Sequence, residues 1–311
     1  MMITRTVPAL AALCLTLTLA SAPTSVAAPA LDPNTPVSAD GRVGPAIKRI
    51  PAGELGTSDG FTGTGDLSDA KGVRRVAGPE PATVNPDEFS VQSIIAPDER
   101  VQATYTFDYP ARATVRFTYT KPTGTTSWCT GWLYEADAVA TAAHCVYNLD
   151  AAAWNTDFTV YPGRNGDSSP YGSCGVSNAY TVTGWTQDRN TEYDYATLKL
   201  TCTIGDTTGW FGLSTSTASL DGTTVTTRGY PQDKPYATQW YTSNTVTATN
   251  ARQLHYLLDT IGGQSGSPVY NYDSGCSAAC AVAIHAYGYT SHNRGTRIIE
   301  EVRQNLLSWG L

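Results

Sequence analysis

From about Ser93 to the end of the chain, short alternating runs of apolar and polar residues are broken every few positions by turn residues. Examples are ARATVRFTYT, DFTVYP, AYTVTGW, YATLKL, TTVTTRGY, SNTVTAT and CAVAIHAYGY. Successive side chains of a strand point to opposite faces. Many short period-two runs at close spacing therefore predict an all-β sandwich or barrel. Residues 93–311 are too many for one small barrel and suit two, the first over about 110–203 and the second over about 204–295. Only the end has a clear helical period. In TRIIEEVRQNLLSWGL, the residues Ile298, Ile299, Val302, Leu306 and Trp309 recur at helical spacing, which predicts a helix over about 296–309. Thr296 is its expected N-cap, and Glu300 and Glu301 fall in the early turns, where the helix dipole favours acids.

The first ninety residues differ. Arg5 precedes the apolar run VPALAALCLTLTLA, which is too short to span a bilayer comfortably, and the small residues of SAPTSVAAPA follow. This predicts a signal peptide over 1–28, cleaved between Ala27 and Ala30. Leu13 before Cys14 argues against a lipoprotein anchor. Residues 29–92 are rich in Pro, Gly, Asp, Ser and Ala and poor in aromatics, so they can bury little apolar surface. They are expected to be a largely irregular, loosely attached propeptide; a flexible linker is the alternative. The chain is then a secreted, extracellular protein without a membrane anchor.

Setting Cys14 aside, six cysteines remain, an even number that suits disulfides in an exported chain. Fifteen connectivities are open. Bonding Cys129 to Cys145 would close a loop of about 16 residues and contribute about 3 kcal/mol by chain entropy. Cys276 and Cys280 are close enough to close a small loop, leaving Cys174 for Cys202. The spacings do not form paired C-x-x-C zinc knuckles. A formal charge of −7 argues against general binding to nucleic acid or anionic membranes.

The stretch DTIGGQSGSPVY places Ser265 among glycines. Serine is a weak nucleophile at neutral pH and needs an adjacent base, itself oriented by a third group. Only four histidines are present, and His144 stands at the end of a strand-like run, VATAAHCVY. In EYDYATLKL, Asp194 shares a period-two face with Ala196, Leu198 and Leu200, and an acid on an inward face needs a partner such as a histidine N–H. Asp188 sits in the polar loop TQDRNTE and is the weaker competitor. The order His144, Asp194, Ser265 is not the Ser–Asp–His order of α/β-hydrolases, and Ser267 takes the place of the second glycine in their G-x-S-x-G motif.

TAAHC, DYATLKL and GGQSGSPV resemble the chymotrypsin-fold serine peptidases. CTGWL, VATAAHCVYN, RGYPQDK, DTIGGQSGSPVY and AIHAYG narrow the resemblance to the bacterial glutamyl endopeptidase branch, over about residues 93–311. It implies two antiparallel β-barrels with the active site between them and a terminal helix packed outside. Carried over, His144 is the general base and acid, Asp194 orients it, and Ser265 attacks the peptide carbonyl. The N–H groups of Gly263 and Ser265 form the oxyanion hole. No cofactor is required, no recognisable spacing supports a calcium site, and the expected partners are protein or peptide substrates met by a monomer.

For the primary pocket the sequence holds two opposed signals. Asp259 lies six positions before Ser265, where the wider fold has its pocket floor, and an acid there would favour Arg or Lys. His285 and Thr260 match a His and a Thr that bind the substrate carboxylate in the glutamyl branch. Val282 and Ile284 are expected to face the core, and Ala281, Ala283, His285 and Tyr287 the cleft. Cleavage after Glu or Asp is the favoured expectation. Cleavage after Arg or Lys, a non-catalytic binding protein on the same fold, and an esterase are the alternatives. Gln264 is neutral and cannot form the ion pair with a freed N-terminus that activates many animal enzymes of this fold. SVQSIIAPDER resembles the start of mature glutamyl endopeptidases, so processing is expected near Gln92–Ser93, with Glu88–Phe89 as a second site.

Overall fold

Each run of alternating residues after Ser93 finds an antiparallel neighbour. The computed structural model describes residues 1–3, 31–44, 57–74, 93–215 and 218–311. The predicted leader and both processing bonds fall wholly or partly outside these residues. Leu31–Leu311 form one unit.

In the first barrel the strand order is Cys174–Val182, Ala196–Leu200, Ala138–Thr141, Thr126–Glu135, Thr114–Thr120 and Thr156–Pro162. The last strand returns to the first through Thr159 opposite Gly175 and Val160 opposite Cys174. The second barrel runs Cys280–Gly288, Pro268–Asn271, Thr224–Gly229, Trp240–Thr249, Gln253–Tyr256 and Asn293–Arg297. It closes where Ile284 pairs with Thr296. Closure removes the exposed edges that short strands would otherwise present.

Side chains such as Val115, Phe117, Leu133, Val139 and Leu198 fill the first barrel. Val225, Val246, Leu254, Leu258 and Val269 fill the second. A third cluster joins the barrels to the terminal helix: Trp132 and Ala140 come from the first, Tyr270 and Ile284 from the second, and Val302, Leu306 and Trp309 from the helix. The Trp309 ring lies nearly parallel to that of Tyr180, with centroids 5.9 Å apart.

Three expectations are corrected. The helix runs Glu300–Gly310, and Thr296 is not its N-cap. Thr296 belongs to strand Asn293–Arg297, where pairing with Ile284 outweighs its capping propensity. Along Cys280–Gly288 the simple alternation fails. Val269 pairs with Ala283 and Tyr270 with Ala281, so Val282 is bulged. Ile284 and Ala281 therefore sit in the inter-barrel cluster, while Val282 and Ala283 share the second barrel's core. The described parts of the upstream segment are also docked rather than loose. Pro36–Ser38 pair antiparallel with Tyr180–Val182, on a length of strand that barrel closure leaves unpaired, and Val37 is buried. Composition reports what a segment can bury alone; it does not register an open strand edge elsewhere.

Disulfides join Cys129 to Cys145, Cys174 to Cys202 and Cys276 to Cys280. Among the described residues no helix is long and apolar enough to cross a membrane.

Candidate active site

His144 is not on the strand. Ala138–Thr141 ends first, and His144 occupies a single 3-10 turn, Ala143–Cys145. The bond from Cys145 to Cys129 fastens that turn to the neighbouring strand. Asp194 likewise precedes its strand and follows the turn Thr191–Tyr193. Its carboxylate is fully buried and meets His144 twice: the backbone N–H donates to Oδ1 at 2.9 Å, and ring Nδ1 lies 2.7 Å from Oδ2. Burial pushes the Asp194 carboxyl up. The charge and hydrogen bonds of His144, with the Tyr287 hydroxyl, outweigh this and hold it below the usual range. The Asp194 carbonyl accepts from Thr296 Oγ1 at 3.0 Å, a second tie from across the barrel boundary. Asp188, the competitor, is exposed.

Ser265 is buried beside the His144 turn. Its carbonyl accepts from Thr130 N–H at 3.0 Å, and Cys145 Sγ lies 4.0 Å from the same oxygen. The adjoining glycines are required. Gly263 has φ +90° and Gly266 φ +84°, and a Cβ on either would collide with neighbours: Tyr230 O and the Trp128 ring for Gly263, Thr141 Oγ1 and Thr130 O for Gly266. Gly266 N–H donates to the His285 carbonyl at 2.8 Å, which ties the serine turn to the strand below it.

His285 is fully buried. Nδ1 lies 2.7 Å from the Tyr256 hydroxyl, and Nε2 has no hydrogen-bond partner among the described residues. Burial, helped by the charge of His144, pushes the ring down to about 3, so it is neutral near pH 7. Thr260 Oγ1, like Gln264 Nε2 and Ser267 Oγ in the same stretch, is also buried without a partner among the described residues. Unpaired buried polar atoms cost stability and need a physical explanation.

Both carboxylate oxygens of Asp259 are taken up by backbone donors. Oδ1 accepts from Ile95 N–H at 2.7 Å and Oδ2 from Glu99 N–H at 2.8 Å. The acid that sequence position offers as a pocket floor instead anchors residues 95–99. Gln264 has a related role: its Oε1 accepts from Ile261 N–H at 3.1 Å and from the buried guanidinium of Arg100 at 3.4 Å. Arg100 also binds Asp98 and Asp233.

Sequence reasoning did not single out Tyr256, Asn293 or Arg100. Asn293 Oδ1 accepts from Ser93 N–H at 3.2 Å, and its Nδ2 donates to the Ser93 and Leu258 carbonyls, each at 2.7 Å. Nothing local marks these residues, since their partners lie far away in sequence. The remaining histidines, His255 and His292, pair with each other, with ring centroids 4.8 Å apart. Cys129, His144 and Cys145 form a cluster within ligand distance, but both sulfurs belong to one disulfide and offer no thiolate.

Beyond His144 a cleft of about 470 Å³ continues between Trp185, Tyr287, Tyr147 and Tyr119.

The sequence pattern of the family described as "Trypsin" matches residues 101–305. The chain is similar to the glutamyl endopeptidase of Bacillus licheniformis, with 40% identity over 293 residues, 89% of this chain and 88% of that one. It is also similar to a Bacillus subtilis protein named "Extracellular metalloprotease", with 37% identity over 303 residues, 96% of this chain and 95% of that one. A solved Glu endopeptidase superposes with TM-score 0.63 and 28% identity, covering 70% of this chain and 99% of its own.

Proposed function

This chain belongs to the trypsin family and is a serine endopeptidase; from that premise we propose that it is secreted and cuts peptide bonds after glutamate, using Ser265, His144 and Asp194. Ser265 Oγ attacks the scissile carbonyl as His144 takes its proton. Asp194 fixes the His144 tautomer and stabilises the imidazolium that forms. The N–H groups of Gly263 and Ser265 receive the developing oxyanion; each such donor contributes about 3–4 kcal/mol to the transition state. His144 then returns the proton to the leaving amine, and water releases the acyl group by the same route.

The observation that carries glutamate specificity is that His285 Nε2 and Thr260 Oγ1 are buried polar atoms without a partner among the described residues, His285 being tied through its carbonyl to Gly266 N–H, next to Ser265. A carboxylate taken out of water needs donors. Burial keeps the Tyr256 hydroxyl protonated, 2.7 Å from His285 Nδ1, and in the tautomer in which it donates to Nδ1 the ring hydrogen is on Nε2. Nε2–H and Thr260 Oγ1–H are then both free to donate to a substrate carboxylate, which a neutral substrate amide would replace less well. Asp259 supports an arginine pocket by position only, because both of its oxygens are already bonded to backbone N–H groups.

Residues 1–28 act as the export leader and 29–92 as a propeptide removed at Gln92–Ser93. The three disulfides support an oxidising compartment. Asn293 Oδ1 already accepts from Ser93 N–H, so cleavage there would leave an ammonium on that oxygen, beside Thr260, whose N–H reaches the Ser93 carbonyl at 3.4 Å. The added positive charge suits an acidic substrate.

His285→Gln tests the pocket. A hydrogen bond to a charged group contributes about 1.5–3 kcal/mol, so kcat/KM for a Glu peptide falls about 10- to 100-fold. The matched Gln peptide changes little. An undiminished preference for Glu over Gln would remove His285 from the pocket.

A further inference from the structure

Residues 57–74, within the segment assigned to the propeptide, grip the linker between the barrels along much of its length. Ser58 and Leu213 exchange backbone hydrogen bonds at 2.9 and 3.0 Å, as do Phe61 and Trp210 at 2.9 and 2.8 Å. Gly65 N–H donates to Thr207 O at 2.9 Å, and Thr203 N–H to Lys71 O at 3.0 Å. At the far end Arg74 and Ser173 exchange bonds at 2.8 Å.

The fit is backbone against backbone. A Cβ on Gly60 would stand 2.8 Å from Gly212 N, and one on Gly212 would stand 2.6 Å from Ser58 O. Gly63 and Gly209 have φ +78° and +76°; a Cβ on Gly63 would collide with Gly209 N, and one on Gly209 with Phe61 O. Glycines on both sides leave no room for a side chain, and such closeness is not expected of a tail resting on a surface.

The grip also spans both barrels. Ser173 leads into the first-barrel strand Cys174–Val182, and Leu213 pairs with Ala281 of the second barrel. Ser277, just before strand Cys280–Gly288, donates from its backbone N–H to Asp59 Oδ1 at 3.1 Å and from Oγ to Gly60 O at 2.9 Å. The Arg112 guanidinium reaches the Thr62 carbonyl at 2.6 Å. These contacts run along 173 and 203–213 and out to 277; none of them uses the His144 turn, residues 259–267 or His285.

We propose that residues 57–74 are a staple that holds the two barrels in register in the uncut chain, without plugging the cleft. Because His144 and Asp194 ride on the first barrel and Ser265 on the second, the relative placement of the barrels sets the alignment of the three. The inference rests on the proposed cut before Ser93 only for its timing: that cut would free the staple's covalent tether to the finished enzyme.

The test needs no catalysis. Full-length Ser265→Ala protein, verified uncut by intact mass, is compared with the same chain carrying Gly60→Val and Gly63→Val. Backbone hydrogen exchange is followed at Ser173, Trp210 and Leu213, together with the thermal midpoint. The staple predicts exchange at least about tenfold faster at all three amides and a midpoint lower by several degrees. Gly41→Val is the control: its backbone is similarly strained, with φ +87°, but its Cβ would meet nothing within 4 Å. It should leave the three amides unchanged. If the double variant yields no folded protein, the milder Gly60→Ala is read at Trp210 and Leu213. Rates and midpoints equal to the parent's, or equal to those of Gly41→Val, would overturn the staple.

Discussion

Replacing Ser265 with Ala is expected to lower kcat by about a million-fold, the scale seen when a triad serine is removed. The change deletes one oxygen from a buried position and disturbs little else. The turn is held by backbone bonds, from Thr130 N–H to the Ser265 carbonyl and from Gly266 N–H to the His285 carbonyl, and both survive in the variant. Stability should therefore stay within about 1 kcal/mol of the parent. Labelling by a serine-directed phosphonate should vanish with the activity. Residual activity above about one part in a thousand, or labelling that persists in Ser265→Ala, would assign the nucleophile to another residue.

The second largest effect is expected from Asp194→Asn, about ten-thousand-fold in kcat. The side chain keeps its shape, and its oxygen can still accept from His144 N–H. Its nitrogen, however, faces ring Nδ1 across 2.7 Å. An amide N–H donates there, so Nδ1 becomes the acceptor and the ring hydrogen moves to Nε2, where it cannot receive the serine proton. The fold should persist. Asp194 also holds its place through its carbonyl bond to Thr296. Activity within tenfold of the parent would show that Asp194 does not set the tautomer of His144. The Tyr287 hydroxyl is the other donor at this carboxylate, and burial beside the Asp194 charge keeps its proton on.

Much of this arrangement was legible in the sequence because it is local. The glycines around Ser265, the period-two runs and the close pair Cys276 and Cys280 announce themselves within a few positions. What the sequence misplaced depends on partners far along the chain. His144 and Asp194 read as strand residues, yet His144 sits on a short turn after its strand and Asp194 between a short turn and the start of its strand. Thr296 reads as a helix cap until Ile284 is seen to pair with it. Asp259 posed the sharpest conflict. Its position suggests a basic-residue pocket, and only the N–H groups of Ile95 and Glu99, more than 150 residues away, reveal what its carboxylate binds. Tyr256 and Asn293 were invisible for the same reason. The upstream segment reads as unable to bury surface by itself, which is compatible with its docking on an open strand edge and on the inter-barrel linker.

The central claim is that His285 and Thr260 receive the carboxylate of a substrate glutamate, while Asp259 is committed to the backbone N–H groups of Ile95 and Glu99. The most direct measurement is kcat/KM on matched peptides that differ only in the residue before the cut, Glu, Gln, Arg or Phe, using protein processed to Ser93. The account predicts the Glu peptide fastest, by about 100-fold or more over Gln and Arg, as expected for two donors to a buried charge. An Arg peptide cleaved faster than the Glu peptide would contradict it and return Asp259 to the floor of the pocket.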